Sequence, residues 1–183
     1  MADINADNVS LTQRNRIYDG LRFTIAVAAG GALGAVLRVL ITVILASESG
    51  SILQPTEGLS ELFAPLQFPL ATLLINIVGS FALGLVIANR VYTQTNTWSA
   101  HQEAWFLFIS SGFWSAFTTF SAFSHDVMQL WVNGAAIFGY WWPPKVVAAM
   151  YLLASVVISL AAVMLAFALS HRMHKTKFAG RSE

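Results

Sequence analysis

Residues 112–124 read Gly112-Phe113-Trp114-Ser115-Ala116-Phe117-Thr118-Thr119-Phe120-Ser121-Ala122-Phe123-Ser124. Phe113, Phe117, Phe120 and Phe123 recur at helical spacing, and Thr118, Thr119 and Ser121 place hydroxyls among the rings. The stretch sits in the middle of an apolar run, at membrane depth, where an ordinary lipid-facing helix needs neither feature. Polar or irregular backbone inside a bilayer is tolerated only where protein or a water-filled path surrounds it, because hydrocarbon cannot satisfy a freed N–H or C=O. The pattern therefore predicts an interrupted helix at the functional centre of a membrane protein.

The rest of the composition agrees. The chain has 183 residues, 56% hydrophobic and 10% charged, with a mean hydropathy of +0.64. A helix needs about 20 mainly apolar residues to cross the hydrocarbon. Such runs lie at about 23–46, 69–89, 104–124 and 145–169, so an all-α membrane protein with four transmembrane helices is expected. Residues 1–22 read as a polar N-terminal tail or short surface helix, 23–169 as the membrane domain, and 170–183 as a basic C-terminal tail. The absence of cysteine excludes disulfides, thiolate metal sites and cysteine nucleophiles. The first apolar run lacks a short core with a small-residue cleavage site, so it reads as a membrane helix rather than a signal peptide.

In the first run Gly30, Gly34 and Arg38 fall at four-residue intervals, with Gly31 and Ala35 on the neighbouring line. One face is nearly bare backbone, the pattern that lets membrane helices approach closely. Arg38 is the one basic residue placed inside a span, where a charge reads as functional by default; the alternative is a side chain that snorkels to the helix end. In the second run Thr72, Asn76 and Ser80 recur every four residues, setting a carboxamide between two hydroxyls on one face. Gly79 thins the helix beside them. The fourth run carries Ser155 and Ser159 one turn apart.

Residues 47–68 form an acidic connection with Glu48, Glu57 and Glu61, and Tyr140, Trp141 and Trp142 mark a membrane edge. Of the ten Lys and Arg, Arg14, Arg16, Arg22, Arg90, Arg172, Lys175, Lys177 and Arg181 fall on the side of the two termini, and Lys145 on the other. The positive-inside rule puts both termini in the cytoplasm. No Asp or Glu lies within the four runs as bounded above, and Asp126 follows the third. A proton-coupled exporter commonly uses a carboxylate at membrane depth. Amide, hydroxyl, the one arginine and aromatic edges instead suit an anion, since a ring is positive around its rim, and weak binding is what conduction requires. A break in the third helix would also free carbonyl oxygens of Ser115 and Thr118 for a small cation. Nothing in the pattern points to nucleic acid or to an enzyme.

Three separated motifs resemble the Fluc (CrcB) fluoride channels of bacteria. They are Gly30-Gly31-Ala32-Leu33-Gly34-Ala35-Val36-Leu37-Arg38, Thr72-Leu73-Leu74-Ile75-Asn76-Ile77-Val78-Gly79-Ser80-Phe81, and Gly112-Phe113 with Thr118-Thr119-Phe120-Ser121-Ala122-Phe123. The resemblance implies an antiparallel, dual-topology dimer of four-helix subunits in the plasma (inner) membrane, with two fluoride pores and a structural sodium ion at the centre. It implies that Phe120 and Phe123 line the pore with ring edges, that Asn76, Ser155 and Ser159 form a polar track with Thr119 and Ser121 beside it, and that the carbonyls of Ser115 and Thr118 hold sodium. Fluoride would leave the cell passively, reducing its toxicity.

The chain departs from the family where two glycines usually stand in the third-helix break, here Ser115 and Ala116; Ala71 replaces a usual glycine and Val39 a usual aromatic. Family analogy implies a homodimer, whereas the charge bias favours pairing with an oppositely oriented homologue. The alternatives from other classes are a proton-coupled small-molecule exporter of the four-helix multidrug type and a non-conducting accessory subunit.

Overall fold

The computed structural model describes the backbone of residues 2–48, 69–93, 98–138 and 143–179, and side chains over 16–44, 69–93, 98–132 and 143–175. In chain order these form α1 (Ala2–Glu48), α2 (Leu70–Thr93), α3 (Ala100–Leu107), a π-helical stretch (Phe108–Trp114), the single turn α4 (Ser115–Phe117), α5 (Phe120–Phe138) and α6 (Pro144–Ala179). Four spans are long and apolar enough to cross a bilayer: Arg16–Ile44, Leu70–Thr93, Ala100–Val132 and Pro144–Lys175. The protein is an all-α, multi-pass membrane protein whose third span is interrupted. Most of the acidic 47–68 connection, and Tyr140, Trp141 and Trp142, lie outside the described residues.

The polar opening is helical and continuous with the first span. α1 runs without a break from Ala2, 47 residues in all, or about 70 Å at 1.5 Å per residue, more than twice the hydrocarbon thickness of about 30 Å. No proline interrupts residues 1–48, and an isolated glycine such as Gly20 costs a helix only about 1 kcal/mol. Once the apolar turns nucleate the helix, extension is favourable.

The third span is also longer than its apolar run. It starts at Ser99, whose hydroxyl accepts the Gln102 N–H at 3.3 Å while the Gln102 side chain accepts the Ser99 N–H at 3.0 Å. This reciprocal cap ends two orphan donors at once. At the far end α5 continues to Phe138, because Phe123, Val127 and Leu130 keep one apolar stripe facing inward. Leu130, Val147, Ala148 and Tyr151 are buried there, with Leu73, Phe123 and Val127 packed against them. The helix therefore carries Asp126 inside the span Ala100–Val132, not beyond it as the apolar run alone suggests.

Glycines decide how the rods pack. A Cβ on Gly30 would run into the Phe108 carbonyl oxygen, and one on Gly34 into that of Phe113. From the other side, a Cβ on Gly112 would lie 2.8 Å from the Val27 oxygen and 3.0 Å from Gly30 Cα. The bare face of α1 thus meets the π stretch backbone to backbone, leaving room for its wider turns. At the α2–α6 contact Gly84 faces Ala166, where a Cβ would lie 3.0 Å from the alanine methyl.

The connection from α2 to α3 is clasped by Arg90. Its guanidinium lies 3.8 Å from the Trp98 ring centre and 4.5 Å from that of Phe106, and Nη2 bonds Glu103 Oε2 at 2.6 Å. The outward faces are apolar: Leu33, Val36, Leu40, Leu74, Val78, Val157 and Leu160 are exposed, as a hydrocarbon surround demands.

Candidate functional site

The break in the third span is built by α2. In a continuous helix the Thr119 N–H would bond the Ser115 carbonyl. Instead it donates to Asn76 Oδ1 at 2.9 Å, and Asn76 Nδ2 donates to the Thr119 carbonyl at 3.1 Å. One carboxamide satisfies both backbone groups of a residue taken out of the helix, which meets the demand that no backbone polar group be left bare in lipid. Thr118 has turned to extended geometry, φ −71° and ψ 156°, and its hydroxyl bonds back to the Ser115 carbonyl at 3.1 Å. Thr119 then caps the next helix: its hydroxyl accepts the Ala122 N–H at 3.2 Å and meets the Ser121 hydroxyl at 3.2 Å.

Gly79, three residues beyond Asn76 and on the same face of α2, makes room for this turn. A Cβ there would collide with the Thr118 γ-methyl and lie 3.1 Å from Phe117 Cδ1. Asn76 and Gly79 act together, one holding Thr119 and the other admitting Thr118.

The break divides the four phenylalanines. Phe113 and Phe117, before it, stack with centroids 6.3 Å apart and planes at 7°, and Phe117 is buried. Phe120 and Phe123, after it, lie 5.8 Å apart at 45° and face a groove of about 310 Å³. The groove is open along one side, and Phe120 is 79% exposed there. Its lining includes Asn76 and Ser80 from α2, Thr118 and Thr119 from the break, and Ser155 and Ser159 from α6. Its surface is largely apolar, with hydroxyls spaced along it.

Of the residues singled out in the sequence, Asn76, Thr119, Phe120, Phe123, Ser155 and Ser159 come together in this groove. Ser121 does not line it but bonds Thr119 behind it. Thr72 is buried one turn before Asn76 and lies apart from the lining. Gly112 and Gly79 serve close approach. Arg38 is half-buried outside the lining; its carbonyl accepts the Thr42 hydroxyl at 2.9 Å, and its Nε has no protein partner.

Ser115 and Ala116, which replace the family's glycines, lie in α4 with ordinary helical geometry, φ −66° and ψ −38° at Ser115. No left-handed residue is needed there, so the substitution is unstrained. The Ser115 carbonyl, which has lost its helical N–H and accepts the Thr118 hydroxyl, and the Thr118 carbonyl at the break are oxygen donors of the hard type that a small cation takes. Among the described residues no cluster of His, Asp or Glu offers an alternative metal site.

One group escaped the sequence reading. Tyr151 stands one turn before Ser155 and lengthens its ladder; its ring lies 5.8 Å from Phe123. Its hydroxyl donates to Asp126 Oδ2 at 3.4 Å. The four-residue spacing of Tyr151, Ser155 and Ser159 was the signal available.

The profile of a family described as CrcB-like protein, Camphor Resistance (CrcB), matches residues 25–167. The chain belongs to this family. It is 33% identical over 152 residues to a fluoride-specific ion channel FluC of Saccharophagus degradans, covering 81% of this chain and 90% of that one. It is 35% identical over 147 residues to one of Agrobacterium fabrum, covering 80% and 94%. A shorter stretch, 64 residues, is 48% identical to fluoride-specific ion channel FluC 2 of Bacillus cereus, covering 35% of this chain and 46% of that one. The family is one of ion channels and not of enzymes, and its matched region takes in the break, the groove and the packing glycines.

Proposed function

We propose that this chain is a passive, fluoride-selective channel that lets cytoplasmic fluoride out of the cell and so reduces its toxicity. The observation that carries this reading is the groove itself, whose lining brings together Asn76, Thr119, Phe120, Phe123, Ser155 and Ser159. Fluoride is small and strongly hydrated, and the groove offers it partial substitutes for water: hydroxyl donors and the positive rims of Phe120 and Phe123. None of these is a full charge, so an ion is held weakly enough to leave. Fluoride that enters as the neutral acid at low external pH dissociates inside, and the outward gradient of the ion then suffices.

A groove open on one side calls for a covering surface. In this reading that surface belongs to a second subunit in inverted orientation, a homodimer by analogy with the family, within the bacterial inner membrane. The carbonyls of Ser115 and Thr118 hold the structural sodium ion between subunits, where it ties two helix breaks together. The charge asymmetry favours cytoplasmic termini for one of the two orientations, and the inverted subunit inserts against that bias or is a homologue of opposite bias.

Asp126, inside the third span, supplies the carboxylate that a proton-coupled exporter of the multidrug type would need, which keeps that reading as the second one. The deciding experiment is fluoride efflux from liposomes containing only this purified chain, at equal pH on both sides, with chloride for comparison. Rapid, fluoride-selective efflux without a proton gradient supports the channel. Efflux that requires an imposed pH gradient supports the exporter. No efflux from folded protein, restored by co-expression with a homologue, supports a paired or accessory subunit.

A further inference from the structure

Asp126 lies on α5 three residues, just under one turn, beyond Phe123, which lines the groove; Asp126 itself stands outside that lining. Its carboxyl group is only 17% exposed, and it receives the hydroxyl of Tyr151 at 3.4 Å. Tyr151 is 1% exposed and heads the series Tyr151, Ser155, Ser159 that runs down α6 into the groove. The carboxylate thus holds the donor at one end of the hydroxyl ladder, about 10 Å along α6 from its start at Pro144. Nothing in the groove chemistry described above uses it.

We propose that Asp126 is a positioning residue for anion passage: its carboxylate competes with the permeating ion for the Tyr151 hydroxyl, and its protonation opens that end of the groove. This inference rests on the reading of the protein as an anion channel. A phenol has one hydrogen to donate, and an ionised carboxylate only accepts. While Asp126 is charged, Tyr151 is engaged and a like charge faces the arriving anion across a medium that screens it poorly. Once protonated, Asp126 becomes a donor itself, frees Tyr151 and removes the repulsion.

The neighbours reinforce the sign. On α5, His125 Nδ1 lies 3.7 Å from Asp126 Oδ1 and its ring is 69% exposed, so a protonated imidazole there also favours an anion. From α6 the titratable group facing Asp126 is Tyr151; Lys145 is placed over the Trp131 ring at 5.5 Å. Between Leu70 and Asn89, α2 carries no titratable side chain. A proton on Asp126 and a proton on His125 thus act on an anion in the same direction.

The test is planar-bilayer current carried by fluoride through the purified full-length protein, at equal pH on both sides, stepped from neutral to acidic. Neutral hydrogen fluoride carries no current, so its leak across the lipid is not read. Wild type is expected to conduct about tenfold more at the acidic end, Asp126→Asn to be high and flat, and Asp126→Glu and His125→Ala to keep a slope. A flat wild-type profile overturns the inference while leaving the channel reading in place. So does a slope that survives in Asp126→Asn or vanishes in His125→Ala. Should Asp126→Asn fail to assemble by size-exclusion chromatography, the wild-type and Asp126→Glu profiles still decide, because flat current in both refutes it. Absence of any fluoride current from folded wild type sinks the channel reading and this inference with it.

Discussion

Asn76 and Thr119 exchange two hydrogen bonds, at 2.9 and 3.1 Å, across 43 positions of sequence. The side chain stands in for a neighbouring strand, giving an acceptor to the N–H and a donor to the carbonyl of the same residue. A carboxamide does both from separate atoms, Oδ1 and Nδ2. Asn76→Asp keeps the acceptor, loses the donor and sets a negative charge against the Thr119 carbonyl. It is expected to destabilise the protein by about 1–3 kcal/mol as well as to suppress fluoride efflux. A fall in thermal midpoint in detergent, alongside the lost efflux, checks this; an unchanged midpoint would reduce Asn76 to a pore residue alone.

Phe120 makes the opposite case. It is 79% exposed in the single chain, so its removal leaves little of the subunit's own packing to lose. Phe120→Ile is expected to leave folding and thermal stability close to wild type while lowering fluoride efflux by about an order of magnitude, since an aliphatic side chain has no positive rim. Normal efflux in this variant would remove the ring edge from the conduction path.

The glycines separate by what faces them. Gly30→Ala and Gly34→Ala drive a methyl into the backbone of the π stretch, and backbone has no rotamer by which to yield. Losses of roughly 1–3 kcal/mol or failure to assemble are expected. Gly31, on the neighbouring line, would place its methyl 4.0 Å from Ala116 Cβ, an ordinary contact, and Gly31→Ala should be tolerated. Gly20 has nothing within 4 Å, so Gly20→Ala should stabilise α1 by roughly 0.5–1 kcal/mol. Circular-dichroism melts of the four variants side by side test the ordering.

Arg90 is held between two rings and paired with Glu103, with side chains about three-tenths exposed. Arg90→Lys keeps the charge but not the flat face that stacks on Trp98 and Phe106. A loss of about 1 kcal/mol is expected, read as a lower thermal midpoint with efflux per folded protein unchanged.

The number of spans, the interrupted third one and most of the groove were legible in the sequence because each writes itself as a local period. Hydrophobic length gives the spans, and Asn76, Ser80, Ser155 and Ser159 announce their faces by four-residue spacing. What stayed hidden depends on partners far away in sequence. The break falls at Thr118 and Thr119, one turn from the glycine-replacing pair, because it is Asn76 on another helix that draws Thr119 out. Asp126 fell beyond the third apolar run because such a run ends at the first polar residues, whereas a helix ends where its caps and packing do. The length of α1 was missed for the same reason. Tyr151 looked like one more aromatic until its hydroxyl met Asp126.

Because α2 fixes the break, the two halves of the third span are mechanically independent in register. The Phe108–Trp114 stretch fits its wide turns to the bare face of α1, and any angular error accumulated there stops at Thr119, where Asn76 resets the start of α5. The orientation of Phe120, Phe123 and Asp126 about the groove is then inherited from α2, not from the residues that precede them in the chain.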